Sequence, residues 1–536
     1  MHHRPLQQFA EQRSKSPSDS TQSSKQIQEP KRSPERRRWP MLAVIVTLLF
    51  LFGIVFSKVD AAGPWGYQMQ HGRWLGACPN YRDFSTRTHA PYSDGELRLP
   101  FQRPAELCRT FRSEIVDQVV LDMKERLVDK DLAQLFENCF PNTLDTTVKW
   151  TVGGSNPQSF IVTGDINAEW LRDSTNQLSP YMPLVHKDIQ LKKLMLGAIN
   201  TQANYIIQSP YCNAFQPPSL STLEPSSNDQ HDNVHPVYDA SVVFECKYEL
   251  DSLAAFISLS RQYYNATGDH SFMKARWLKA VRNVLRVIDE QSEGSFNQHG
   301  FYQRPKYTFQ RNTNIGTETL SLSGGGNPVA SNTSLIRSAF RPSDDATILQ
   351  FLIPANAFMS VELGHLATLL QAAGDKTMAR DAQNRSKDLK DAIWKHGVVD
   401  HAQYGRVFAY ETDGYGSHIM MDDANLPSLL SLPHLGFLNA DDPVYQNTRR
   451  MVLAKVGNPY FLNGPAMSGI GGPHIGAQHA WPMSSLIRIL TSDDDEDIKR
   501  TLELVKMSTA KLGLIHESVN VRLASDYTRS NTHFMS

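Results

Sequence analysis

Within the stretch VTGDINAEWLRDSTNQLSPY (Val162 to Tyr181), five chemically capable side chains fall in nine residues: Asp165, Glu169, Trp170, Arg172 and Asp173. An indole can stack on the C–H face of a sugar, and carboxylates and a guanidinium make directional hydrogen bonds to hydroxyls. That combination predicts a pocket for a polyol. A local account of the same residues also exists. Asp165 would cap a helix starting at Ile166, where acids suit the helix dipole. Glu169 and Arg172, three apart, would pair on its surface, and Trp170 and Leu171 would be core.

Similar polar clusters recur along the chain. HPVYD (His235 to Asp239) and FRPSDDAT (Phe340 to Thr347) each precede an apolar helical pattern. ETDGYGSHIMMDDANLPSLL carries Glu411, Asp413, His418, Asp422, Asp423 and Asn425. SGIGGPHIGAQHAWP carries His474, Gln478, His479 and Trp481, and GLIHESVN carries His516 and Glu517. Each has a local reading too: Ser343 as a helix cap, MDDAN as a capped turn, Glu517 as half of an ion pair. Together, all at junctions between helices, they point to one ligand-facing rim. Glycoside hydrolysis needs two carboxyls flanking the scissile bond, one protonated and one ionised. Asp344 or Asp345, with Glu517, are candidates, because each stands at a turn beside apolar residues able to raise a carboxyl pKa.

Those junctions are set by amphipathic segments. RSEIVDQVVLDMKERLVDKDLAQLFENCF, DIQLKKLMLGAINTQANYIIQ and KYELDSLAAFISLSRQYYNATGD all carry apolar residues at helical spacing. Later segments such as DATILQFLIPANAFMSVELGHLATLLQAAGD and KTMARDAQNRSKDLKDAIWKHG pair in the same way. No fixed-period repeat is visible, which argues against a solenoid. About a dozen paired helices predict an all-α fold, an (α/α)6 barrel of helical hairpins. VKWTVGG and GRVFAYETDGYG would form small β-hairpins on the active-site rim.

The N-terminus differs from this body. Residues 1–38 are polar and rich in Ser, Gln and Pro, and predict a disordered cytosolic tail. The uncharged run WPMLAVIVTLLFLFGIVFS (39–57) has the length of a membrane-spanning helix. Lys31, Arg32, Arg36, Arg37 and Arg38 precede it, so the positive-inside rule predicts a type II signal anchor with a lumenal body. Residues 58–101 would be a lumenal stem and 102–536 the catalytic domain. The predicted location is a secretory-pathway membrane, the Golgi. Sequons at Asn265, Asn332 and Asn384 predict N-glycosylation. Five cysteines, Cys78, Cys108, Cys139, Cys212 and Cys246, permit disulfides and leave an odd thiol; the sequence does not fix their pairing. No Cys/His spacing indicates zinc. The formal net charge of −1 implies no nucleic-acid partner, and nothing in the sequence sets an oligomeric state.

Taken in order, TGDINAEWLRDSTNQ, KYELDSL, FRPSDDAT, MDDANLPSLL, GGPHIG and HESVN resemble glycoside hydrolase family 125, the exo-α-1,6-mannosidases, over residues 111–530. The resemblance implies the (α/α)6 barrel, inversion of configuration, a mannose-containing glycan as substrate, and no metal or cofactor. It places the general acid at Asp344, with Asp345 as the neighbouring choice, and the general base at Glu517. It implies that Trp170, Arg172 and Asp173, with Asp165 of the same stretch, line the terminal-mannose subsite, joined by Asp422, Asp423, Asn425, His474 and His516. The chain departs from the family after YTRS: it reads NTHFMS where members continue with an apolar aromatic segment, so an altered or truncated terminus is expected. A secretory-pathway glycosyltransferase is the first alternative, though its usual fold alternates strands and helices. A non-catalytic glycan-binding protein on the same barrel is the second.

Overall fold

The structure is a computed structural model that describes residues 78–529, together with the backbone of two paired strands, Gln68–Gln70 and Arg73–Leu75. The expected tail, the apolar run 39–57 and residues 530–536 lie outside the described residues. Among those described, no helix is long and apolar enough to cross a membrane.

The body is mostly helical. Its main helices are α1 (Glu114–Arg126), α2 (Lys130–Cys139), α3 (Leu171–Leu178), α4 (Ile189–Gln208), α5 (Leu250–Thr267) and α6 (Ala275–Ser292). They are followed by α7 (Ile353–Ala372), α8 (Lys376–His396), α9 (Pro443–Val452), α10 (Pro482–Leu490) and α11 (Asp495–Met507). Aspartates start many of them. Asp129, Asp188, Asp375, Asp442 and Asp494 each accept first-turn backbone N–H groups that have no partner within the helix. Gly268 ends α5 in the left-handed conformation at φ 65°, which costs glycine little.

Burial separates the helices into two kinds. α5 and α7 are apolar around most of their circumference, with Leu253, Phe256, Ile257, Met359, Leu363 and Leu366 all inside. α6 and α8 bury one stripe, such as Trp277, Val281, Val284 and Ile288 on α6, and expose the other. α5 packs against α3 and α7, α7 along α8, α4 against α6, and α10 against α11. Burying each large side chain contributes roughly 1.5–3 kcal/mol, so the doubly covered helices hold the body together. The strands are two to five residues long and pair antiparallel in small sheets of two or three.

Three local expectations change. The helix expected from Ile166 starts at Leu171. Glu169–Trp170 instead forms a short strand paired with Ala214–Phe215, so Asp165 caps nothing. Ser343 caps no helix either; α7 begins at Ile353, with Pro354 in its first turn, and the Ser343 hydroxyl donates to Asp423. Glu517 directly precedes a strand, Ser518–Asn520, which pairs with His479–Ala480 and Tyr527–Thr528. Residues 78–101, read from sequence as stem, pack on the body from Cys78 onward. Cys78 is bridged to Cys108, Leu99 is buried beside Leu135, Val505 and Ile515, and Asp131 accepts from Ser93 Oγ and the Leu97 N–H. Side-chain hydrogen bonds rather than a periodic apolar face hold this segment, and so it reads as a linker.

Candidate active site

A cleft of about 550 Å³ opens among the loops that join these elements. Trp170, Arg172, Asp173, Asp344, Asn425, His474 and Glu517 line it, gathered from five of the sequence clusters, while HPVYD (His235 to Asp239) contributes nothing to its wall. Lys247, Arg311, Glu245, Phe244 and Trp481 complete its walls. Trp481 belongs to the His-rich cluster read as part of the rim; the other four had no role in the sequence reading, although Lys247 opens the quoted KYELDSL motif.

Asp344 stands in a tight turn. Arg341 N–H donates to the Asp345 carbonyl and Asp344 N–H to the Arg341 carbonyl. Asp344 adopts φ 71°, a left-handed conformation that aspartate tolerates better than most residues. Its side chain is 29% exposed and faces the cleft. Asp345, one residue on, is buried away from the cleft beside Ser343 and near Asp423. The turn is pinned from below: Glu411 accepts from Arg341 Nε at 2.6 Å and from the N–H groups of Ile348 and Leu349. Burial pushes the Asp344 carboxyl up, but Lys247, His474 and Arg172 outweigh it, and its pKa lies below the usual value. Lys247 Nζ is 3.5 Å from Asp344 Oδ1 and 3.4 Å from Glu245. Burial and the neighbouring Asp423 push Asp345 up to about 6.

Arg172 lies at the base of the cleft among three carboxylates. Its Nη1 donates to Glu249 at 2.7 Å and Asp251 at 3.1 Å, and its Nη2 donates to Asp173 at 3.2 Å. Glu249, the residue just before α5, and Asp251, on its first turn, are both buried, so Arg172 is committed to the protein more than to a ligand. Asp173 faces the cleft, and burial raises its pKa against the pull of Arg172. Trp170 meets Phe244 edge-on, with ring centroids 5.4 Å apart, which gives one wall an aromatic surface.

Glu517 is delivered by the three-stranded sheet. Its N–H donates to the Arg529 carbonyl, and Arg529 Nη1 is 3.5 Å from its carboxylate. Burial raises the Glu517 pKa, while Arg529 and Thr528 oppose the rise. The same Arg529 reaches Asp165 through Nε at 3.7 Å, and Arg82 approaches Asp165 from the other side at 3.5 Å.

Several predicted site residues are not on the cleft wall. Asp165 belongs to this flanking ion-pair chain. Asp422 is buried and accepts from the N–H groups of Leu429 and Leu430, and burial pushes it up to about 8. Asp423 accepts from Ser343 Oγ and from Asn425, holding the Asp344 turn and the Asn425 loop together. His516 is buried and stacked on Tyr527 at 3.8 Å; burial lowers it to about 4, so it stays neutral. All four are supports that read as ligands in the sequence because they sit one to three residues from groups that do face the cleft.

Asn265, Asn332 and Asn384 are all exposed. Cysteine pairing, open in the sequence, is Cys78–Cys108 and Cys212–Cys246, with Cys139 as the free thiol. The second bridge clamps the chain directly before Lys247, whose N–H also donates to Asn213 Oδ1.

Comparison with known proteins adds three findings. The family model described as metal-independent alpha-mannosidase (GH125) matches residues 129–535. The "Meiotically up-regulated gene 157 protein" of Schizosaccharomyces pombe is 56% identical over 484 residues, covering 90% of this chain and 93% of the relative. A Streptococcus pneumoniae metal-independent alpha mannosidase, solved as a non-productive complex with alpha-1,6-mannobiose, superposes with a TM-score of 0.71 at 31% identity. That match covers 79% of this chain and 97% of the bacterial one.

Proposed function

The chain belongs to the metal-independent alpha-mannosidases of family GH125, and from that membership we propose that it removes terminal α-1,6-linked mannose from glycans, with inversion. Membership makes it a glycoside hydrolase acting on α-mannosides. The linkage is inferred from the mannobiose bound to the bacterial relative. The observation that carries the reading is the convergence of Asp344 and Glu517, from distant motifs, on one cleft that also holds an aromatic wall. We read the nested helices, some buried all round and some on one side, as the (α/α)6 toroid. The oxidised cysteine pairs and exposed sequons support a lumenal body behind a type II anchor, in the Golgi.

In this mechanism Asp344 gives a proton to the leaving oxygen and Glu517 activates a water on the opposite face of the sugar. Asp173, Asn425 and His474 orient hydroxyls, and Arg172 holds Asp173 in place. The electrostatics of the free cleft favour a second reading. Lys247 keeps Asp344 ionised while burial raises Glu517, which suits Glu517 as the donor and Asp344 as the base. Two variants separate the readings. The variant lacking the acid keeps most activity on an aryl mannoside whose leaving group needs no proton, and the variant lacking the base does not. Asp344→Asn should be the one that survives, and Glu517→Gln should bind mannosides without turning them over. Survival of Glu517→Gln instead would exchange the roles. Inversion is read from the first-formed product anomer by NMR. Free β-mannose is expected as the first-formed product from the α-mannoside, and α-mannose would overturn it. Transfer from a nucleotide sugar would point to the glycosyltransferase alternative, and sugar binding without turnover by the wild type to the lectin-like one.

A further inference from the structure

A second cleft of about 790 Å³ adjoins the first and shares Ile166 and Arg529 with it. One wall comes from the N-terminal segment, through Arg82, Ser85 and Thr86; Asn167, Leu223 and Tyr527 contribute to the others. The first wall precedes residue 129, where the family match begins, so this cleft is partly built from sequence outside that match.

The wall is rigid. Cys78–Cys108 ties the segment to the body at one end. Tyr81 is buried, with its hydroxyl donating to the Gln102 carbonyl and accepting from Asn142 Nδ2 at 2.6 Å. The Gln102 side chain donates to the Arg87 carbonyl, and its N–H donates to Asn138 Oδ1. A preorganised wall loses little freedom when a ligand arrives. Amide, hydroxyl, ammonium (Lys149) and guanidinium groups line it together with Leu223, Ile166 and the Tyr527 ring, the mixture that hydroxyls and C–H faces of a sugar require. Its lining carboxylate, Asp165, is held between Arg82 and Arg529, so the cleft can bind but has no facing carboxyl pair for a second hydrolysis.

An exo-acting site encloses the terminal sugar, the remainder of the glycan extends out of it, and the second cleft adjoins the first through Ile166 and Arg529. We infer that the second cleft is a subsite for that remainder, a neutral oligomannoside segment beyond the sugar next to the scissile bond. This rests on the α-mannosidase reading above. It predicts that the protein prefers long substrates to mannobiose.

The test compares α-1,6-mannobiose with an α-1,6-linked mannotetraose on the full chain. Wild-type kcat/KM should be about tenfold higher for the tetraose, the gain expected of a subsite adding a few hydrogen bonds. Thr86→Trp and Leu223→Trp fill the cleft from two segments and touch neither Asp344 nor Glu517. Both should abolish the advantage and leave mannobiose turnover within about twofold, which also reports an intact fold. Equal wild-type kcat/KM on the two substrates would overturn the inference, as would variants that slow both alike. If neither substrate is turned over, the exo-mannosidase reading fails by itself and the cleft is judged by binding. Calorimetry should then show tetraose tighter than mannobiose, with the difference lost in Thr86→Trp; equal affinities would refute the subsite.

Discussion

Asp344 and Asp345 are neighbours in the chain and opposites in the fold. The positive φ at Asp344 turns its carboxylate into the cleft, while Asp345 is buried against Ser343. Asp344→Asn, which tolerates the same backbone conformation, should lower turnover of an unactivated mannoside by about 10²–10⁴-fold with little loss of stability. Asp345→Asn should mainly lower the melting temperature. Comparable kinetic losses in both would show that the turn acts as a unit. The SDDA motif was legible in the sequence, but a one-residue choice depends on a backbone dihedral that residue types do not encode. Arg172 shows the converse: it was read as a sugar ligand, and its guanidinium proves to be surrounded by Glu249, Asp251 and Asp173. Arg172→Ala therefore leaves buried carboxylates unpaired and should cost about 3–5 kcal/mol in denaturant unfolding. Asp173→Asn, which keeps the shape, should weaken mannoside binding with a smaller effect on stability. Loss of binding by Arg172→Ala at unchanged stability would restore the direct-ligand role.

The helices were legible because each buries a stripe or a whole circumference over several turns, and aspartates mark many starts. VKWTVGG and GRVFAYETDGYG were legible as strand-forming segments, and Val148–Val152, Gly405–Phe408 and Glu411–Thr412 are paired strands. The other strands of two or three residues were not, since so few residues cannot display an alternation. Yet such strands position residues of the proposed site: Glu169–Trp170 sets the entry to α3, and the pairing of Ser518–Asn520 with Tyr527–Thr528 sets Glu517 against Arg529. The Cys212–Cys246 bridge does similar work for Lys247. It closes a sequence separation of 34 residues, which in a chain-entropy account is worth roughly 3–4 kcal/mol. The double variant Cys212→Ala/Cys246→Ala should lose stability of that order in urea. It should also lose kcat on mannobiose, because Lys247 is no longer held 3.5 Å from Asp344. Stability lost with kcat intact would confine the bridge to a folding role.

At the scale of the whole molecule, buried carboxyls tie stability to pH. Glu169 lies fully inside, its Oε2 accepting the Ile161 N–H, and burial pushes it up to about 8 from an ordinary 4.5. Burial raises Asp422 to about 8 as well. A carboxyl raised on folding stabilises the protein fully below its unfolded pKa, and that contribution is lost as pH rises through the folded value. Glu169 and Asp422 should therefore erode stability from about pH 4 up to about pH 8. Asp129, Asp413 and Asp497 are shifted the other way by their hydrogen bonds and ion pairs, so their contribution is present above the unfolded pKa and lost on acidification. The two trends together place the expected optimum on the acid side of neutrality. Glu169→Gln keeps an acceptor for Ile161 and removes the titration. Its melting temperature should match or fall below that of the wild type at pH 5, then exceed it by a growing margin up to pH 8.5. Parallel curves for the two proteins across that range would mean that Glu169 is ionised in the fold and that its burial is compensated by a partner other than the Ile161 N–H.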